Sequence, residues 1–510
     1  MAEKAKRAKR LPNKLEAVLP IAVLLVIMIL NYVQGWGQDA HIPCLIAVAI
    51  AFFVGIACGY DYREILAGAL SSLTRCLEAI LILFCIGVLI GSWLAAGTIP
   101  AIVYYGLNFI TPAVFLPVAA LISAIVAVSM GSSWTTTGTV GIAFMTIGAS
   151  LGFSAPLVAG MCISGAYTGD KLSPLSDTTN LAAASAGTGL FDHVGAMMGT
   201  TVPSFIIALI LYTVVGLGAS DKYDNSVVVG LQNDIQTQFN HISVILLLPI
   251  VIVIVACIMR VPSLAGILLS AVIALALAAI FQGASFSDLI TFSHYGYGDY
   301  INEALLEDEE AHALVIKLLD RGGMDSMCWT INLVIVAVSF GGILEKIGAV
   351  ESLMGGLIKH CDKPYKAVLM TMLTSLVCDW TMCDQYLAII IPGQMYQEKF
   401  DELGLGRNML SRTLEDLGTL WSPMCPWNSC GAYQSGVLGM SPFAYIPFAF
   451  MNLINPIFAF CSAFLGRNIL YADGSFTHLL TGKLTQGRVA EAPEDAHQKA
   501  LEALKQIRGE

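Results

Sequence analysis

Apolar residues run through this chain in long blocks. Residues 17–30, 45–57, 244–259 and 331–338 are built almost entirely of Leu, Ile, Val, Ala and their like. Several blocks approach the ~20 residues that a helix needs to cross the hydrocarbon of a bilayer. Against this background two polar stretches stand out. One is Asp170–Asn180 (DKLSPLSDTTN); the other is Thr419–Ser429 (TLWSPMCPWNS), at an offset of 249. Charges, prolines and hydroxyls at bilayer depth are costly and mark solute or ion sites. A polar break in each half of a chain is the pattern of a secondary transporter.

The likeness between the halves extends further. Ser132-Ser133-Trp134-Thr135 matches Cys378-Asp379-Trp380-Thr381 at an offset of 246. Gly91, Leu94 and Gly97 match Gly341, Leu344 and Gly348, and residues 59–66 match 283–290 at an offset of 224. An insert of about 25 residues between Tyr295 and Asp325 accounts for the jump, and the shared order of the matches makes a repeat. Charge then orients the spans. The basic N-terminus (Lys4, Lys6, Arg7, Lys9, Arg10, Lys14) is expected in the cytoplasm, as are Arg260 and the cluster Lys346, Lys359, Lys363 and Lys366. The acidic stretches Ser220–His241 and Asp299–Asp325, the latter with Glu307–Glu310, are expected outside. The second half thus begins on the opposite face, as an inverted copy.

Parity requires one re-entrant hairpin per half. Residues 113–150 are chosen because Ser129–Thr139 is too polar and glycine-rich for an ordinary span, and residues 367–396 follow, turning near Asp379–Asp384. The expectation is an all-α polytopic membrane protein of two inverted-topology repeats, each of about five spans with a broken helix plus one re-entrant hairpin. Its parts would be a basic N-terminus (1–14), repeat 1 (15–217), an extracytoplasmic linker (218–242), repeat 2 (243–466, with an acidic insert at 284–326) and a hydrophilic cytoplasmic tail (467–510). The acidic insert is expected to form an amphipathic helix or a plain solvated cap.

Composition sharpens the class. Hydrophobic residues make up 56% of the 510 and charged residues 12%, about half the usual charged share for a soluble protein, and mean hydropathy is +0.74. The net charge of −11 is assigned to outward loops and tail, with nothing that suits nucleic acid. The first apolar run is taken as a retained signal anchor. Most of the 13 cysteines lie singly in apolar runs, as small hydrophobes. The pairs Cys378/Cys383 and Cys425/Cys430 lack zinc spacing and flanking histidines.

The chemistry centres on the breaks. Irregular backbone is tolerated in a membrane only where it is buried or lines a cavity. There its free carbonyls, with hydroxyls of Ser132, Ser133, Thr135, Thr136, Ser173, Ser176 and Thr178, suit a hard cation. The membrane-depth carboxylates are Asp170, Asp177, Asp379 and Asp384. A buried carboxyl that takes either a proton or Na+ is the simplest antiport coupling. Asp384 is the first candidate and Asp177 the second; Asp170 is also a candidate pair for its neighbour Lys171, and Asp379 a candidate turn or cap. The hydroxyls have an alternative use in bonding back to helix carbonyls, and Trp134, Trp380 and Trp427 are assigned to packing.

The stretches Gly131–Gly138 (GSSWTTTG), Gly165–Leu181 (GAYTGDKLSPLSDTTNL) and Asp384–Gly393 (DQYLAIIIPG) resemble the NhaC family of Na+/H+ antiporters. The resemblance covers roughly residues 15–466 and takes in malate/lactate exchangers of the same family. It implies Na+ and H+ as transported ions, no cofactor, Asp177 and Asp384 as ion-binding positions, a bacterial cytoplasmic membrane, both termini inside and a homodimer. Cys378, Cys383 and Cys425 depart from the small or polar residues usual there. The leading function is Na+/H+ antiport. The alternative is coupled exchange of a small carboxylate or amino acid held by Lys171, Asn180, Asn428, Ser429 and Gln434. An intramembrane aspartyl protease is disfavoured, because Ala166–Asp170 lacks the first glycine of Gly-x-Gly-Asp.

Overall fold

The computed structural model describes residues 8–34, 40–106, 111–219, 225–259, 261–306, 312–356 and 358–508. Helices dominate. Six of them among the described residues are long and apolar enough to cross a membrane, or seven if the bent pair Pro442–Phe448 and Phe450–Phe464 is one span. The expected further crossings correspond to shorter pieces: His41–Ala57 and Val244–Val253 are apolar but under 18 residues, and others are divided by breaks.

The two halves present their elements in the same order. Gly59 and Gly283 both take positive φ, and each precedes a capping box, Asp61 with Glu64 and Ser285 with Asp288. In the first half the helix then runs without interruption over Tyr62–Ala96. In the second, Phe286–Tyr295 stops and the path resumes at Met324 and Cys328–Lys346. Between them the described residues, 296–306 and 312–323, form short turns and one α-helix, Ala313–Leu319; Glu307–Glu310 lie outside the described residues, as do Arg260 and Ser220. The expected linker contains a helix, Asn225–Gln238.

Each half then has two helical arms joined at a sharp turn. Pro112–Met130 ends at Gly131 (φ 66°), and Ser132 caps a second arm, Ser133–Ser150, that contains a π-helical turn at Thr137–Gly141. Phe115 at the start of the first arm meets Phe144 of the second, with ring centroids 6.3 Å apart. In the other half Pro364–Thr381 leads through Met382 and Cys383 (φ 57°) to the cap Asp384 and the arm Gln385–Glu402. Thr374 Oγ1 and Tyr396 OH, 2.9 Å apart, tie these arms together. The register therefore differs from the sequence match. By position relative to the turn Ser132 corresponds to Asp384, an offset of 252, and Cys378–Thr381 belongs to the arm before the turn. The Ser-Trp-Thr resemblance is local, whereas the turn and cap are set by backbone geometry.

Next comes a helix broken midway. Ala155–Leu172 stops at Ser173 and restarts as Asp177–Ala186. Arg407–Trp421 stops at Ser422 and restarts as Ser429–Leu438 after the cap Asn428. Proline at 174 and at 423 removes a donor from each break. The first of these helices packs tightly on Pro112–Met130. A Cβ at Gly165 or Gly169 would run into the carbonyls of Ala120 and Ala124, a small-residue contact of the kind that lets membrane helices approach. This approach brings the end of Ala155–Leu172 to the Gly131 turn.

The tail is ordered. A two-stranded hairpin (Ser475–Thr477 with Leu484–Gln486) precedes the helix Glu494–Arg508, which buries Ala496, Ala500 and Leu504 and packs on Gln385–Glu402.

Candidate functional site

The turns and breaks converge on one cavity of about 190 Å³. Four helix starts border it: Ser133 after the cap Ser132, Asp177 after Ser176, Gln385 after Asp384, and Ser429 after Asn428. Helix starts carry unpaired N–H groups and partial positive charge. Three carboxylates, Asp170, Asp177 and Glu78, line the same space.

Asp170 is 4% exposed and accepts a 2.7 Å hydrogen bond from Ser133 Oγ. This contact joins the first hairpin turn to the first broken helix. Ser132 Oγ accepts from Thr135 N at 3.2 Å and from Thr135 Oγ1 at 3.1 Å, so both hydroxyls edge the cavity while closing the helix start. Ser176 Oγ and Thr178 Oγ1, which also line the cavity, lie 3.0 Å apart. Asp177 is exposed, beside Glu78 and Arg75 at the cavity's mouth. Arg75 reaches Ser72 and pairs with Glu345 at 2.5 Å. Trp134 stacks on Tyr433, centroids 4.2 Å apart, and also lines the cavity. Trp427 and Trp380 pack edge to face, and Trp427 Nε1 donates to Trp380 O.

Other expected site residues are placed differently. Thr136 Oγ1 bonds back to Ser132 O at 2.9 Å, the helix-internal use of a hydroxyl. Ser173 Oγ donates to Val128 O at 2.7 Å and accepts from Leu175 N, which satisfies the break's backbone. Neither borders the cavity. Asp384 is buried behind Gln385 and Tyr386, outside the lining. One of its oxygens caps Tyr386 N (2.7 Å) and Leu387 N (3.2 Å); the other accepts from the cavity-lining thiol of Cys76 at 3.3 Å. The cap is therefore Asp384, and Asp379 lies within its helix, bonded by Asn428 Nδ2 at 3.2 Å.

Of the residues proposed for an organic anion, Ser429 lines the cavity, whereas the amides and the lysine are engaged elsewhere. Asn180 Nδ2 holds the carbonyls of Pro174 and Ser176, Asn428 caps Cys430 N, and Gln434 meets Tyr167 OH at 3.4 Å. Lys171 pairs with Asp416, at 2.5 Å, and not with its neighbour Asp170. A helix turns neighbours i and i+1 to different faces, so adjacency in sequence does not make a pair. Thr200 Oγ1 and Asn455 Nδ2 also donate to Asp416. The sequence reading missed Arg75, Glu78, Arg412, Glu415 and Asp416. All five are charges within long helices, and that signal was available.

Apolar helices, paired broken segments and a carboxylate- and hydroxyl-lined cavity where they meet define a membrane transporter of the secondary class. The model of the Na+/H+ antiporter family matches residues 165–467. The chain is 38% identical to the arginine/ornithine antiporter ArcD of Halobacterium salinarum over 91% of its length and 94% of that protein. It is 35% identical to the malate-2H(+)/Na(+)-lactate antiporter of Bacillus subtilis, over 91% and 97% respectively. It is 32% identical to the Na(+)/H(+) antiporter NhaC of Alkalihalophilus pseudofirmus, over 84% and 91%. The chain belongs to the NhaC family of Na+/H+ antiporters.

Proposed function

We propose that this protein exchanges Na+ for H+ across the bacterial cytoplasmic membrane, with the cavity between the breaks as its ion site. The observation that carries this reading is the grouping of Asp170 and Asp177 with Ser132, Ser133, Thr135, Ser176 and Thr178 around one space. Carboxylate and hydroxyl oxygens suit a hard cation, and a carboxylate that binds either Na+ or a proton couples the two flows. Asp170 and Asp177 take the central role here, and Asp384 supports the site by capping the helix that forms its wall. In this reading the halves are inverted-topology repeats, the two hairpins are re-entrant, and both termini are cytoplasmic. The shared order of caps, turns and breaks supports it.

A specific observation favours a second reading. About 190 Å³ is several times the ~30 Å³ share of one water. Four helix starts offer partial positive charge, and the aromatic residues Trp134 and Tyr386 are in the lining. A small carboxylate or amino acid fits such a lining, and relatives named for malate/lactate and arginine/ornithine exchange support it. Lys171, Asn180, Asn428 and Gln434 take no part in this version; the helix starts and Ser429 replace them.

The test is reconstitution in liposomes with a trapped pH dye. Na+ is added outside with and without malate, lactate, arginine or ornithine. Proton movement with Na+ alone supports the first reading. Movement only with an organic solute present replaces it with the second.

A further inference from the structure

A second cluster of charged groups lies outside the cavity. Lys171, His193, Arg412, Glu415 and Asp416 are each 0% exposed. Lys171 and Asp416 are joined as described, and Arg412 Nε lies 3.5 Å from Asp416 Oδ2 while its Nη1 donates to Asn468 O. Glu415 is different. Neither carboxyl oxygen has a hydrogen-bond partner, and the nearest basic group, His193 Nε2, is 3.7 Å from Oε1 and is also without a hydrogen bond. His193 is oriented through its other nitrogen, Nδ1, 2.8 Å from Ser411 Oγ.

Burying a carboxylate with no donor to either oxygen is costly, and taking up a proton relieves that cost. Glu415 also opens the π-helical turn Glu415–Thr419, and single π-helical turns gather at functional sites because they re-aim side chains.

The charged and titratable groups carried by the elements packed against the Glu415 turn can be named. On its own helix are Arg407, Arg412 and Asp416. From Ala155–Leu172 come Asp170 and Lys171, from Asp177–Ala186 comes Asp177, and from Leu190–Ala219 come Asp192 and His193. Pro364–Thr381 brings Lys366 and Asp379, and Gln385–Glu402 brings Tyr396, Glu398, Lys399, Asp401 and Glu402; Phe450–Phe464 brings Asn452 and Asn455 and no acid or base. Most are committed elsewhere: Asp170 to Ser133, Asp379 to Asn428, Asp401 to Arg407, Lys366 to Asp362 and Lys399 to Glu402. Among the described residues, His193 is the one basic group in ion contact with Glu415.

We infer that Glu415 and His193 form a buried proton-binding pair, separate from the cavity carboxylates. The pair holds one proton, on Glu415 Oε1 or on His193 Nε2, and the transfer between them moves only that proton: the acid becomes carboxylate as the imidazole becomes imidazolium. The site itself needs only the buried cluster; its use in transport rests on the proton-coupled exchange proposed above.

The test is infrared difference spectroscopy of the protein in lipid during a pH step, with no transported solute present. The expected result is a carboxylic-acid C=O band that is lost in Glu415→Gln, kept in Asp177→Asn, and displaced in His193→Gln. A carboxyl region identical in wild type and Glu415→Gln overturns the inference, as does loss of the band in Asp177→Asn. If Glu415→Gln fails to fold, the His193 variant decides: an unmoved band overturns the inference. A wild type that shows the band but moves no protons with Na+ leaves the proton site standing and removes the Na+/H+ reading.

Discussion

Lys171 Nζ and Asp416 Oδ1 meet at 2.5 Å, across 245 residues of sequence, and neither side chain is exposed. The pair binds the first broken helix to its counterpart in the second half. Removing Lys171 leaves Asp416 buried with only the more distant Arg412 as counter-charge, and breaking a buried pair costs up to roughly 3–5 kcal/mol. Lys171→Met is therefore expected to lower the thermal midpoint of the purified protein sharply. The double variant Lys171→Met/Asp416→Leu should not recover it, because Arg412, also buried, then loses Asp416 in turn. A fluorescence-detected unfolding series in detergent reads both.

Asp170 is free of that pair, which changes the expectation for its variants. Its neighbour Lys171 keeps its partner whatever stands at 170, so Asp170→Asn should insert and fold near normally while losing Na+-dependent proton movement. Ser133→Ala removes the 2.7 Å bond that aims the carboxylate. As with other groups that orient a ligand, its loss should weaken apparent Na+ affinity about 10–100-fold. Dye-loaded proteoliposomes measure both variants, and an unchanged Na+ half-saturation in Ser133→Ala would remove that contact from the site.

For Asp384 the cap and the charge can be separated. Asn also caps helices, so Asp384→Asn should hold the Gln385 helix start and report the role of the charge alone. Asp384→Ala loses the bonds to Tyr386 N and Leu387 N and should cost about 1 kcal/mol in addition. Exchange retained in Asp384→Asn but impaired in Asp384→Ala would make this residue a positioning group.

At the tail, burial pushes the Asp473 carboxyl up, but hydrogen bonds from Ser475 and the Arg508 guanidinium outweigh it and leave it below the usual carboxylate range. A carboxyl held low in the folded state stabilises above its unfolded value of about 3.9, and that stabilisation is lost as pH falls through the folded value. Docking of the Glu494–Arg508 helix should thus be firm at neutral pH and loosen in strong acid. Limited proteolysis with an acid-active protease checks this, and Asp473→Asn should remove the acid dependence.

Much of the plan was legible along the chain. The apolar runs announce membrane helices because a bilayer demands length and hydropathy and little else. Ser173-Pro174 and Ser422-Pro423 announce the two breaks, since proline and hydroxyls inside such runs have few other uses. Asp170 and Asp177, Ser132 and Ser133 were named from the same logic, and the cavity gathers them. The turn register was not legible: a backbone with positive φ at Gly131 and at Cys383 has no single residue signature, and the Trp-Thr match pointed six residues away.

What the sequence determined by itself, then, is class, family and the location of the polar breaks, because hydropathy and motif are properties of consecutive residues. Only the tertiary structure decided that Lys171 belongs to Asp416, that Asp384 caps a helix behind the cavity, that Arg75 and Glu78 stand at its mouth, and that Glu415 faces His193. Apart from the local cap at Asp384, each rests on segments far apart in the chain coming together. Which face of a helix meets which neighbour is settled by packing, through close approaches such as Gly169 on Ala124, and adjacency in sequence carries no record of it.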